Sequence, residues 1–155
     1  MKQNLFKFLI IGTLFISCAG NVNKNNIQAD KSKIKSIEAD SVSFETFSVI
    51  PNEIDGCGCS FYLSENDKKD NKYICVNDFA NLAFVKLKGE MVKLELTEHK
   101  DSSSIYLYKS KEYTLKIEVL KKESSEYESS NIEGVITISS KEGIKKQKFI
   151  GTCGC

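Results

Sequence analysis

The chain has 155 residues, with 22 basic and 21 acidic side chains, 41% hydrophobic residues, one His, one Pro and six Cys. That is enough for one modest core once a leader is set aside, and too little for two ordinary domains or an α/β barrel. Every basic residue is Lys and the formal net charge is +1, so there are neither guanidinium forks nor a positive field, and nucleic acid is not an expected partner.

Lys2 and Lys7 lead into an uncharged apolar run, residues 8–16, that ends in Ser17-Cys18-Ala19-Gly20. A positive start, an apolar centre and small residues at the cut mark a secretory leader; the run is well short of the ~20 residues of a spanning helix. A Cys between small residues at this place resembles the lipobox of bacterial lipoproteins, with Phe15 where the box most often has Leu. The resemblance implies that residues 1–17 are removed and that Cys18, acylated with fatty acids such as palmitate, becomes the first mature residue. The protein is then exported and lipid-anchored to the bacterial membrane. Because Ala19-Gly20-Asn21 carries no acidic run, the expected place is the outer membrane at its periplasmic face. The other reading is an ordinary leader cut after Ala19. Residues 18–43, rich in Asn and Lys, are too polar to bury a core and read as a disordered tether.

From residue 44 to 155 the apolar period is two, which predicts an all-β domain. Val92, Leu94 and Leu96 alternate with Lys93 and Glu95, and Tyr113, Leu115, Ile117 and Val119 alternate with Thr114, Lys116 and Glu118. Those are half-buried strands. Ala83, Val85 and Leu87 form a third, and Gly89-Glu90 before Met91 predicts a tight hairpin with Gly first in the turn. Further strands are expected at 44–49, 60–63, 73–76, 104–109, 133–139 and 145–152, separated by polar clusters at 65–71, 100–103 and 121–131. Short strands at this spacing suggest a small antiparallel β-barrel or sandwich.

The cysteines are the one chemical constellation. Cys57-Gly58-Cys59 and Cys153-Gly154-Cys155 bracket the domain, with Cys75 between them. On a strand, residues i and i+2 share a face, so each doublet aims both sulfurs one way. If the domain's first and last strands pair, two cross-strand bridges form side by side and staple the termini. Such a bridge is worth roughly 4 kcal/mol in the chain-entropy account. With one odd thiol among five, three pairings remain for each choice of that thiol. The alternatives are a Zn or Cu(I) site on the thiolates of Cys57, Cys59, Cys153 and Cys155, or redox exchange. An export leader favours disulfides, and no cofactor is expected.

His99, the sole imidazole, lies in Thr97-Glu98-His99-Lys100-Asp101 and reads as a solvated loop residue whose replacement is harmless. No nucleophile–base pair or carboxylate pair stands out, so the domain is not expected to be an enzyme. Tyr106, Tyr108 and Tyr113 with Phe84 are either core residues or an exposed aromatic patch, and cross-strand pairing is the simpler account.

An exported, lipid-anchored all-β domain with Tyr73-Ile74-Cys75, Ala83-Phe84-Val85, Val92-Lys93-Leu94 and a terminal Cys resembles the membrane-bound inhibitors of c-type lysozyme. It is also similar to small Gram-negative lipoproteins ending in Gly-x-Cys-Gly-Cys. The resemblance, over residues 57–155, implies a small antiparallel barrel and a partner-contact loop. The nearest counterpart of the inhibitors' Ser-Gly-x-x-Tyr loop is Ser103-Ser104-Ile105-Tyr106, which lacks the Gly. The expected contact residues are therefore Ser103, Ser104, Tyr106 and Tyr108, with the 121–131 segment as a second contact region. The expected function is a non-catalytic binding or inhibitor module of the cell envelope, its partner an envelope protein or glycan. The alternative is a periplasmic thiol- or metal-handling protein.

Overall fold

The computed structural model describes residues 42–100, 104–125 and 128–155. The described elements are β1 (Phe44–Glu45), β2 (Gly58–Tyr62), α1 (Glu65–Lys69), β3 (Cys75–Asn77), β4 (Leu82–Leu87), β5 (Glu90–Lys100), β6 (Ile105–Lys109), β7 (Thr114–Ser124), β8 (Ser130–Ser140) and β9 (Gly143–Gly154). From β2 to β9 each strand pairs antiparallel with the next, and β9 pairs back onto β2. The result is a closed eight-stranded barrel, not a sandwich. Closure leaves no free edge among these strands. β1 lies beside the end of β4, where Phe44 faces Leu87.

Alternation puts one side chain in two inside. Phe61, Cys75, Val85, Leu94, Tyr108, Leu115, Ile117, Ile136, Ile138 and Phe149 form one buried interior cluster, joined by Val42 from the chain that enters β1. An eight-stranded barrel is just wide enough for side chains to fill it. Gly134 belongs to the inward row of Ile132 and Ile136 and stands opposite Phe149. A Cβ there would collide with the Glu118 carbonyl and come within 2.8 Å of the Phe149 ring, so the glycine lets β7 approach and makes room for the aromatic, which meets Phe61 edge-on at 4.8 Å. A smaller cluster, Phe47, Tyr62, Tyr73, Val76 and Phe84, covers the outside of β2 to β4. Phe84 is thus a core residue.

Several boundaries differ from the sequence reading. The β4–β5 turn is Lys88-Gly89, because Leu87 faces Glu90, and both turn residues have positive φ, 52° and 81°. Gly is therefore second in the turn, as a mirror-image two-residue turn matching strand twist prefers. The polar cluster 65–71 contains the one-turn α1, started by Ser64, whose hydroxyl accepts from the Asp67 N–H at 3.2 Å. The 121–131 segment is not simply a loop: β7 runs to Ser124 and β8 starts at Ser130. Both faces of this hairpin meet water beyond the barrel rim, so a strand there carries polar residues on each side and loses the period-two signal.

Candidate functional site

Both Cys-Gly-Cys doublets sit on the seam where the last strand meets the first strand of the barrel. Cys59 faces Cys153 in register, and disulfides join Cys59 to Cys153 and Cys57 to Cys155, with Cα–Cα distances of 4.1 and 4.0 Å. The strand tied to β9 is β2, not the domain's first strand, β1. Gly58 between the sulfurs lies against the Asn77 carbonyl, where a Cβ would collide. Glycine is therefore required so that β3 can approach. The metal alternative needs these four sulfurs as thiolates, and in the structure each is in a disulfide. Among the described residues no group of three or more His, Cys, Asp or Glu is placed to hold a metal. Cys75 is free and buried inside the barrel; burial pushes its thiol far above the ordinary range, so it is held protonated and inert.

The seam's inner bridge lines a cavity of about 210 Å³ at one mouth of the barrel. Its floor is polar. Asn77 is buried; its Oδ1 accepts from the Cys59 N–H at 3.0 Å, and its Nδ2 donates to the Tyr108 hydroxyl at 3.1 Å. Tyr108 is 0% exposed. Burial, reinforced by the nearby Cys75, raises its phenol well above the ordinary value against a smaller opposing effect from Asn77. Tyr108 is therefore an interior residue, and its place in the expected contact loop is corrected: a strand running inward from the rim buries it. Tyr106, two residues nearer the end, lines the cavity with Ser104, while Ser103 and Cys18 lie outside the described residues.

Two β-bulges decide which side chains enter this mouth. In β5, Leu96 faces Tyr108, Glu98 faces Leu107 and His99 faces Tyr106, so Thr97 is the extra residue; its hydroxyl donates to the Leu107 carbonyl at 3.1 Å. Strict alternation from Leu94 and Leu96 would send Glu98 inward. The bulge sends His99 instead, and its ring stacks on Tyr106 with centroids 4.2 Å apart and 15° between planes. His99 is thus a strand residue at the cavity, not a loop residue, and sequence alternation failed because a bulge shifts phase by one. In β7 the extra residue is Leu120: Val119 faces Gly134, Lys121 faces Glu133 and Lys122 faces Ile132. Lys122 turns to the cavity, while Lys121 is outside, paired with Glu123 at 3.0 Å and Glu133 at 3.2 Å. The sequence signal was the break in alternation at Val119-Leu120-Lys121-Lys122, two apolar residues and then two lysines.

The β3–β4 turn completes the rim. The Asp78 carboxylate accepts from the backbone N–H groups of Ala80, Asn81 and Leu82 at 3.0, 2.8 and 2.8 Å. Partial burial opposes ionisation, but these donors outweigh it and hold the Asp78 carboxyl below its ordinary value. The turn carries Phe79 at φ 63°, a costly conformation for an aromatic, and brings it to the cavity.

What the fold and site define is a class: an up-and-down antiparallel barrel, sealed by two disulfides, with a half-apolar cavity at the sealed mouth. Comparison with family models, curated proteins and solved structures finds no match to this chain.

Proposed function

We propose that this protein is a lipid-anchored, non-catalytic binding or inhibitor module of the bacterial cell envelope, tethered through acylated Cys18 and presenting one mouth of its barrel to a partner. The observation that carries the reading is the coincidence, at one end of the barrel, of both disulfides, a cavity lined by the stacked His99 and Tyr106 rings, and the strand ends that lead to the two segments expected to make contact. Closing the seam removes the sheet edge that would otherwise fray, and the two disulfides tie β2 to β9 at the end where the cavity opens. Binding functions are grafted on loops held by such scaffolds. The disulfides accord with an oxidising compartment.

The test is a photo-cross-linking residue at Ser104 in the full chain, expressed in a bacterium that processes the leader. The expected result is a discrete cross-linked envelope species that disappears when Cys18→Ala releases the protein from the membrane fraction. Membrane attachment unchanged by Cys18→Ala, or a substrate-consuming activity abolished by His99→Ala with the fold intact, overturns the reading.

A further inference from the structure

The cavity at the mouth has a lining of definite chemistry. Among the described residues its titratable lining consists of His99, Tyr106 and Lys122, with no carboxylate among them, and the Asp78 carboxylate at the rim is engaged by the backbone N–H groups of Ala80, Asn81 and Leu82. That bias is built, not incidental: the Thr97 bulge turns Glu98 to the outer face and His99 to the inner one, and the Leu120 bulge brings Lys122 in register with inward Ile132. Bulges at barrel rims re-aim side chains in this way. The stacked His99 and Tyr106 rings present a flat wall, and Phe61, Ile117 and Ile132 supply an apolar one. A cavity of about 210 Å³ is smaller than a drug-sized pocket of roughly 300 Å³ or more. It holds one ring with a short substituent and no long acyl chain.

We propose that the sealed mouth binds a small planar carboxylate, its ring against the apolar wall and the His99–Tyr106 stack and its charge toward Lys122. This deepens the binding-module reading and rests on it. A carboxylate fits because the charged side chain among the described lining residues, Lys122, is cationic and partly wet, so that the ion pair forms without burying either charge fully. The neutral walls account for the ring: apolar burial supplies affinity and the planar stack supplies orientation. A cationic or purely aliphatic ligand would waste one of these features.

The experiment follows the methyl resonances of Ile117 and Ile132 in the intact, oxidised protein during titration with phenylacetate, and then with phenylacetamide, which keeps the ring and shape but not the charge. Phenylacetate is expected to give saturable shifts at both residues, with phenylacetamide weaker by about fivefold, the discrimination of a solvent-accessible ion pair. Lys122→Met should bring the two probes level, and Lys121→Met should leave their ratio unchanged because Lys121 faces outward. Equal binding of both probes by the wild type, shifts that do not saturate, or the same loss from Lys121→Met as from Lys122→Met overturns the inference. The Ser104 cross-link reports separately on the module reading, so either can fail without the other.

Discussion

Asn77 on β3 and Tyr108 on β6 meet inside the barrel, the Asn77 amide donating to the Tyr108 hydroxyl at 3.1 Å while its carbonyl oxygen accepts from the Cys59 N–H at 3.0 Å. One buried amide thus links the disulfide strand, the strand it packs beside and the far wall. Asn77→Ala would leave a buried backbone donor without its partner, an outcome worth about 2 to 3 kcal/mol. Tyr108→Phe removes only the hydroxyl and should cost about 1 kcal/mol. Urea unfolding at constant m-value reads both; equal, small losses would show that the network contributes little.

The two disulfides are nested, with sequence separations of 98 and 94. A loop near this size corresponds to about 4 to 5 kcal/mol in the chain-entropy account, but once one bridge is made the other constrains almost nothing further. Replacing Cys57 and Cys155 by Ser should therefore cost about 1 kcal/mol, and replacing all four Cys several times that. Additive losses from the two pairs in thermal unfolding would contradict the nested account.

Acid should loosen the cavity rim first. The folded Asp78 carboxyl is held below its ordinary value, so its contribution is present above the unfolded value of about 4 and is lost as pH falls through the lower folded value. Asp78→Asn should flatten the acid limb of the stability curve and leave the neutral plateau lowered. Hydrogen exchange at Ala80, Asn81 and Leu82 should rise in the same pH window. An unchanged acid limb in the variant would exclude Asp78 as its source.

Base acts on the interior with the opposite sign. Burial raises both Cys75 and Tyr108, so above pH about 9 the unfolded chain releases these protons while the folded barrel keeps them, and stability falls as pH rises. Cys75→Ala should remove the first part of that alkaline decline at the cost of a small cavity. A native thiol that reacts readily with iodoacetamide at pH 8 would contradict the burial.

His99→Ala no longer belongs with neutral surface changes. Losing the stack on Tyr106 should cost about 0.5 to 1.5 kcal/mol, with the Tyr106 ring resonances shifting as they lose their neighbour.

The barrel was legible because its strands alternate cleanly where one face is buried: Ala83, Val85 and Leu87, then Leu115, Ile117 and Val119, all sit in or against the interior cluster. The paired doublets were legible because i and i+2 share a face. The mouth was not. Its lining depends on Thr97 and Leu120 being extra residues, and a single residue out of phase exchanges the two faces without altering composition. The inward course of Tyr108 and the outward course of Glu98 follow from register, which belongs to the pairing of strands and not to either strand alone.

Export, lipid anchoring and the sealed seam can be read together from the intact mass of protein purified from membranes without reduction after iodoacetamide treatment. The expected species is a chain beginning at an acylated Cys18, with no adduct in the native state, one adduct after denaturation at Cys75, and four more only after reduction of the two bridges. An unlipidated chain that retains residues 1–17, or four thiols that react in the native protein, would contradict it.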